Sequence, residues 1–330
     1  MIPEKMSAVR QYSEGGALTV ESVPVPTPGP GEVLVKIAAA PLNPSDLSYI
    51  KGLYGTPEQF PVTPGFEGSG TVVAAGKGVL SSLLIGKRVA CSGKSRGDGT
   101  WAEYMVTGAT SCVPLSKHIS FEQGSMLLVN PMTAIALVQI AKKGKHSAMV
   151  NNAAASALGR MMVSLTASCN LPLVSIVRKE AQERVLRNMG AQYVLNSADE
   201  TFPEALQKLM RDLKATLILD AVGGTAGTRL IELAPPRSKI ISYAALSGEN
   251  TAFDPRVLLR EQKVIEGFQL GQHLQSMGMA GKLRLAWKAR KFLEQGEQIT
   301  VQKIFPLSGI NEAVAHYSEH MGSGKILVRP

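Results

Sequence analysis

The sequence predicts an α/β protein in which a doubly wound parallel sheet is joined to a second, β-rich domain. Three observations carry this. Up to about residue 120, short β runs are separated by Pro/Gly turns. From about Phe121, helices alternate with continuous apolar strands, the pattern of a parallel sheet covered on both faces. The turn after the first of these strands is built almost wholly of small residues. A chain of 330 residues suits two domains, and a hydrophobic content of 45% against 18% charged residues can bury their cores.

Taken in order, 33–38 and 70–75 read as strands of the first part, and Pro24-Val25-Pro26-Thr27-Pro28-Gly29-Pro30-Gly31 as a surface turn between strands. Six further strands are predicted over 148–152, 173–178, 193–196, 217–222, 239–245 and 264–270. Helix-period segments at 158–168, 181–189 and 202–213 separate the first four. Six strands in this rhythm have the size of a dinucleotide-binding sheet. A basic helix follows, in which Lys282, Arg284, Lys288, Arg290 and Lys291 form a solvated face and Leu283, Leu285, Trp287, Phe292 and Leu293 supply packing. Lys325-Ile326-Leu327-Val328 reads as a last strand that returns to the first domain.

Composition excludes several classes. The 32 glycines and 19 prolines are scattered, not periodic, which rules out collagen-like and low-complexity chains. No apolar run approaches the ~18–20 residues of a membrane span, and residues 1–10 lack the apolar segment of a signal peptide. Cys91, Cys112 and Cys169 form neither a disulfide framework nor a CxxC knuckle, so a reducing cytoplasm is expected. The net charge of +9 is mostly dispersed and carries no aromatic-interleaved basic platform. The expected partner is a small-molecule substrate, with neither nucleic acid nor membrane.

The turn after the first sheet strand reads Asn151-Asn152-Ala153-Ala154-Ala155-Ser156-Ala157-Leu158-Gly159. The glycine fingerprint GxGxxG has become Ala153-x-x-Ser156-x-x-Gly159. The small side chains of this turn still let a pyrophosphate approach its backbone and the helix N-terminus, and Asn152, Ala153, Ser156, Ala157, Leu158 and Gly159 are the candidate cofactor-binding residues. At the end of the second strand, where an acid would bind the ribose hydroxyls of NAD, stands Arg178. A guanidinium there can clamp a 2′-phosphate, which points to NADPH. Glu180 is the competing reading, since a small boundary shift would bring an acid to the ribose.

Further motifs lie along the chain: Pro28-Gly29-Pro30-Gly31-Glu32-Val33-Leu34-Val35, Pro41-Leu42-Asn43-Pro44-Ser45-Asp46, Pro64-Gly65-Phe66-Glu67-Gly68-Ser69-Gly70 and Gly99-Thr100-Trp101-Ala102-Glu103-Tyr104. They continue with Val129-Asn130-Pro131-Met132-Thr133-Ala134, Gly190-Ala191, Asp220-Ala221-Val222-Gly223-Gly224 and Gly324-Lys325-Ile326-Leu327-Val328. In these eight stretches, and in their order, the chain resembles the medium-chain dehydrogenase/reductase superfamily. The resemblance implies a GroES-like β-barrel catalytic domain over 1–120, completed by 271–330, a Rossmann NADPH-binding domain over 121–270, and a homodimer.

Zinc-dependent members place cysteine where Asn43 stands and histidine where Phe66 stands, and Glu67 alone cannot hold a catalytic zinc. The four-cysteine structural lobe is also missing. The resemblance is therefore to the zinc-independent branch of quinone oxidoreductases and enoyl-thioester reductases. Asn43-Pro44-Ser45-Asp46 with Gly52-Leu53-Tyr54-Gly55, and Val129-Asn130-Pro131 with Asn151-Asn152-Ala153, are similar to the mitochondrial-type 2-enoyl thioester reductases, where a tyrosine at the place of Tyr54 is the proposed proton donor. The expected activity is NADPH-dependent reduction of an activated C=C bond, with hydride to the β-carbon and a proton to the α-carbon. Quinone reduction and a non-catalytic NADPH-binding role are the alternatives.

By the same resemblance Asn43 lies near the nicotinamide ribose or a substrate oxygen; its other reading is an Asx turn before Pro44. Thr133 either bonds the carboxamide or caps its helix. Lys325 either reaches the cofactor phosphates or is a solvated strand-end lysine. Tyr243 and Phe268, at late strand ends, either line the cofactor or pack. Asp46, Glu67 and Glu103 show no paired-carboxylate logic, and His316 and His320, four residues apart, could share a helix face. Ser156, Ala157 and Tyr243-Ala244-Ala245 depart from the glycine-rich pattern of the family.

Overall fold

Six short runs rich in Val, Ile and Leu become one parallel sheet, ordered Tyr193–Asn196, Leu173–Val177, Met149–Asn151, Leu217–Asp220, Lys239–Ser242, Val264–Gly267. Numbered along the chain this order is 3-2-1-4-5-6, the doubly wound arrangement in which strand order reverses beside the first strand. Val150 stands opposite both Val174 and Ile218, so the centre of the sheet is β-branched on both sides. Helices Ala157–Ala167, Glu180–Asn188, Phe202–Asp212 and Gly224–Leu233 connect the strands. Phe202, Leu206 and Met210 recur at helical spacing and bury one face of their helix in a core with Val150, Val174, Ile176 and Ile218.

The computed structural model describes residues 1–55, 59–93, 98–296 and 299–330. Its compact units are Met1–Met132 with Leu283–Pro330, and Thr133–Lys282. These boundaries fall later than 120 and 270, for a local reason on each side. The helix Phe121–Ser125 belongs to the first unit: Ser69 Oγ donates to the Phe121 carbonyl at 2.5 Å, Arg88 stacks over the Phe121 ring at 4.4 Å, and Gln123 Nε2 donates to the Ile299 carbonyl at 2.9 Å. Beyond the last sheet strand, Phe268 and His273 pack ring to ring at 5.2 Å and keep the helix Leu270–Gln275 in the second unit.

In the first unit the long strand Glu32–Pro41 is central. It pairs antiparallel with Glu67–Ala75, with Tyr104–Gly108, and at its end with Lys325–Arg329. The returning tail is thus a buried strand, with Ile326, Leu327 and Val328 fully enclosed. Val33, Val35 and Ile37 alternate into the same core as Trp101, Leu42, Leu47 and Val89. Cys91 and Cys112 face each other across paired strands as buried free thiols, and burial pushes the Cys112 thiol up to about 12.

Three expected strands end earlier than their apolar runs. Past Ser242 and Asp220 the backbone turns, and Tyr243 N, Leu246 N and Ser247 N donate to the carbonyls of Asp220, Ala221 and Val222. Past Gly267 the chain enters a helix at Leu270.

Candidate active site

In the second unit, the small-residue turn leads from Met149–Asn151 into the helix Ala157–Ala167. Ala153 takes a left-handed φ of 48°, a conformation its small side chain tolerates better than a bulky one would. Ser156 caps the helix: its hydroxyl accepts from Gly159 N at 3.1 Å. The N–H groups of Ala157 and Leu158, which open the helix, have no intrahelical acceptor, and a helix end of this kind favours an anion. Gly159 sets how closely helix and turn pack, because a Cβ there would lie 2.6 Å from the Ala154 carbonyl carbon and closer still to its oxygen.

Asn152 ties this turn to the neighbouring strand end. Its Nδ2 donates to Asp220 Oδ1 at 2.5 Å and its Oδ1 accepts from Ala221 N at 2.6 Å. Asp220 Oδ1 also accepts from Val222 N and Gly223 N at 2.9 and 3.0 Å. Tyr243 donates its hydroxyl to Asn151 Oδ1 at 2.9 Å, and burial holds that phenol well above its ordinary value. Asn151 Nδ2 is buried with no hydrogen-bond partner among the described residues, at the very edge where a ligand of such a sheet sits. Small residues, an open helix end and an orphaned buried amide fit a dinucleotide. Arg178 stands exposed just after Leu173–Val177, with its backbone N–H on Gln182 Oε1 at 3.0 Å. Glu180 opens the next helix and lies 3.9 Å from Arg184. Phe268 follows the last strand, half-buried against His273.

The first unit holds a buried polar cluster that sequence reasoning did not assemble. Asn43, Asp46, Glu67 and Lys325 are each no more than 2% exposed. Lys325 Nζ donates to Asn43 Oδ1 and, at 3.4 Å, to the Leu42 carbonyl; Asn43 Nδ2 donates to Glu67 Oε1 at 3.1 Å. Glu67 Oε2 accepts from Leu128 N and Val129 N, both at 2.9 Å. Glu67 therefore caps the helix Val129–Lys143, and Thr133, the fifth residue inside it, is not the cap. One further expectation is corrected here: Lys325 is no solvated strand end. Asn43 stands at the N-cap of the helix Pro44–Ile50, and its amide also bonds Lys325 and Glu67.

Asp46 bridges two segments. Its Oδ2 accepts from Asn43 N at 2.7 Å and its Oδ1 from Phe66 N at 2.9 Å. Burial raises its carboxyl to about 7, and the Glu67 charge adds to this; the two N–H donors and Lys325 oppose it. Burial likewise raises the Glu67 carboxyl and lowers the Lys325 ammonium, while the opposite charges pull each back. The Phe66 ring packs edge-on against Tyr49 at 5.3 Å and against Tyr54 at 5.5 Å. Tyr54 itself is half-buried.

This donor set does not fit a zinc ion. An amide and a phenyl ring stand at the two expected ligand places, and a lysine ammonium is bonded to the amide. Among the described residues no three His, Cys, Asp or Glu side chains group to hold a metal. His316 and His320 stack at 4.5 Å on one helix, and no metal-holding group forms around them among the described residues.

Residues 29–117 match the alcohol dehydrogenase GroES-like domain, and residues 157–285 match the zinc-binding dehydrogenase domain. A Mesorhizobium loti protein provisionally described as an NADPH:quinone reductase is 32% identical, with 100% of both chains covered and a TM-score of 0.91. The chain belongs to the medium-chain dehydrogenase/reductase superfamily. Rat mitochondrial enoyl-[acyl-carrier-protein] reductase is 30% identical over 73% of this chain, and the match spans 65% of the rat protein's length. Escherichia coli quinone oxidoreductase, solved as a complex with NADPH, shares the fold at 20% identity, over 98% of this chain and 100% of its own, with a TM-score of 0.87. As a member of this superfamily the chain combines a GroES-like domain with a doubly wound parallel sheet. The residues that sequence reasoning missed, Asp46 and Glu67, lie within the superfamily stretches but carry no spacing that marks them as partners of Lys325.

Proposed function

We propose that the chain is an NADPH-dependent, zinc-independent reductase of activated C=C bonds, with 2-enoyl thioesters or enones as substrates. The observation that carries this reading is the Lys325–Asn43–Glu67 contact set. An amide held by an ammonium cannot supply the Lewis acid that stabilises an alkoxide, so alcohol oxidation is poorly served. Addition to an already polarised C=C needs only proton donation and hydrogen bonds at the developing enolate. NADPH, when bound, supplies the hydride for the β-carbon.

Within that reading, Ala153, Ser156, Ala157, Leu158 and Gly159 hold the pyrophosphate, with Asn152 fixing their turn, and Arg178 holds the 2′-phosphate. Tyr243 and Phe268 line the nicotinamide side, and Thr133 serves the carboxamide. Tyr54 donates the α-proton from its place beside Phe66. Asn43 contributes by holding Glu67 and Lys325. A homodimer is part of the proposal, supported by the edge strand Val264–Gly267, which has a neighbour on one side only among the described residues. A reducing compartment such as the cytoplasm suits two opposed thiols that stay unbonded.

The test is Tyr54→Phe assayed with NADPH on a crotonyl thioester, a simple enone and a benzoquinone. Thioester turnover should fall by roughly 10²-fold with NADPH binding intact, and quinone turnover much less, since water can protonate a reduced quinone. Unchanged thioester and enone turnover would refute the proton-donor role. Quinone reduction is the second reading, favoured by the description of the Mesorhizobium loti relative. NADPH binding without turnover on any of the three would instead support a non-catalytic role.

A further inference from the structure

The half-buried Tyr54 ring is placed by two segments that meet at one carboxylate. The first is the helix Pro44–Ile50 and the turn after it, in which Gly52 N donates to the Tyr49 carbonyl at 2.9 Å and Leu53 N to the Ser48 carbonyl at 2.8 Å. This path delivers Tyr49 to one side of the Phe66 ring and Tyr54 to another, at centroid distances of 5.3 and 5.5 Å. The second segment carries Phe66. The start of the helix and the backbone of Phe66 are bonded to the same side chain, through Asn43 N at 2.7 Å and Phe66 N at 2.9 Å.

We infer that Asp46 is a positioning residue for Tyr54: its two carboxylate oxygens bind the start of the Pro44–Ile50 helix to Phe66 and thereby fix the wall against which the Tyr54 ring packs. Asp46 is fully buried, and its oxygens accept from the backbone N–H groups of Asn43 and Phe66. It acts by geometry alone. Two acceptor oxygens meet two backbone donors, and no neutral side chain of the same size offers that pair. Glu67 and Lys325 are the charges beside it, the first disfavouring and the second favouring its ionised form, and in either protonation state its oxygens face the same two N–H donors. The inference rests on the reading of Tyr54 as proton donor and adds what holds that donor within reach of the α-carbon. A displacement of about 1 Å at a reacting group can cost ~10²-fold in rate.

Asp46→Asn leaves one oxygen for two N–H donors and turns an NH₂ toward the other, so one of the two ties must break. The experiment is a double-mutant cycle on the full chain with NADPH and a crotonyl thioester, using wild type, Asp46→Asn, Tyr54→Phe and the double variant. Asp46→Asn should lower kcat by roughly 10- to 100-fold with NADPH affinity unchanged. On the Tyr54→Phe background the same change should cost less than about twofold, because a donor that is gone cannot be misplaced. Equal losses on both backgrounds, with Tyr54→Phe itself impaired, would overturn the inference and leave the proton-donor reading standing. A fully active Tyr54→Phe enzyme would remove both. Should Asp46→Asn fail to fold, Phe66→Leu replaces it in the same cycle: it keeps the backbone N–H on Asp46 but removes the ring. The same non-additivity is expected, and additive losses would overturn the inference.

Discussion

Two glycines at helix starts should answer the same substitution with opposite signs. Gly159 is the third residue of the helix Ala157–Ala167, and Gly271 the second of Leu270–Gln275. Replacing either with alanine gains about 0.5–1 kcal/mol by reducing the freedom of the unfolded chain. At Gly271 the nearest foreign atom to the new Cβ is 4.0 Å away, so the gain stands. At Gly159 the new Cβ meets backbone, 2.6 Å from the Ala154 carbonyl carbon and 2.7 Å from its Cα. Backbone cannot rotate aside as a side chain can, so turn and helix must separate, an overpacking cost of about 1–3 kcal/mol. The net expectation is a loss of about 1–2 kcal/mol at Gly159, seen in thermal unfolding as a Tm lower by roughly 2–6 °C. Moving the turn should also cost at least one phosphate hydrogen bond, about tenfold or more in NADPH Kd by fluorescence titration. Gly271→Ala should leave that Kd unchanged and keep or raise Tm. A Gly159→Ala protein as stable as the wild type, or one that binds NADPH equally well, would refute the reading of this turn as a tight cofactor cradle.

Arg178→Ala should erase a preference for NADPH over NADH of at least ~10-fold, about 1.4 kcal/mol, measured by titrating both nucleotides; equal affinities in the wild type would overturn the cofactor assignment. Elemental analysis after mild dialysis should find no stoichiometric zinc, and zinc near one per chain would contradict the donor-set argument. Asp46 binds its proton more tightly in the folded chain, with a carboxyl at about 7 against an ordinary value of 3.8, so the folded state carries more protons across that window. Stability should therefore fall as pH rises from about 4 to about 7, and Asp46→Asn should flatten that slope in denaturant titrations at several pH values. A wild-type slope of the opposite sign, persisting in the variant, would show that other groups dominate.

The six-strand sheet is legible because its signal is local: continuous apolar runs, helical spacing between them and small residues at the first turn all lie within a few residues of one another. The strand ends are less so. Ala244 and Ala245 look like a continuing strand, yet the hydrogen bonds of the neighbouring residues Tyr243 and Leu246 go sideways to Asp220 and Ala221, a choice set by another part of the chain. The polar cluster of the first unit is the extreme case. Asp46 at the third position of a proline-opened helix does carry a capping signal, but nothing near Glu67 or Lys325 in sequence says that the two share a desolvated site. A lysine ahead of Ile-Leu-Val reads as a solvated strand end, and the place of its strand between Val301–Pro306 and Glu32–Pro41 is what encloses it. The cap of Val129–Lys143 was hidden in the same way, supplied by Glu67 from a distant strand and not by a residue beside the helix.

The strand Lys325–Arg329 also dictates an order of events during synthesis. A ribosome completes Thr133–Lys282 before it makes Leu283–Pro330, so the parallel sheet has every one of its strands while the first unit still lacks two. Until Lys325 emerges, the end of Glu32–Pro41 near Ala40 has no partner from the tail, and Asp46 and Glu67 have no cation to enter the core with. The part of the chain translated first is therefore the part that finishes last, and its nascent form is the one that most needs protection from association through open strand edges.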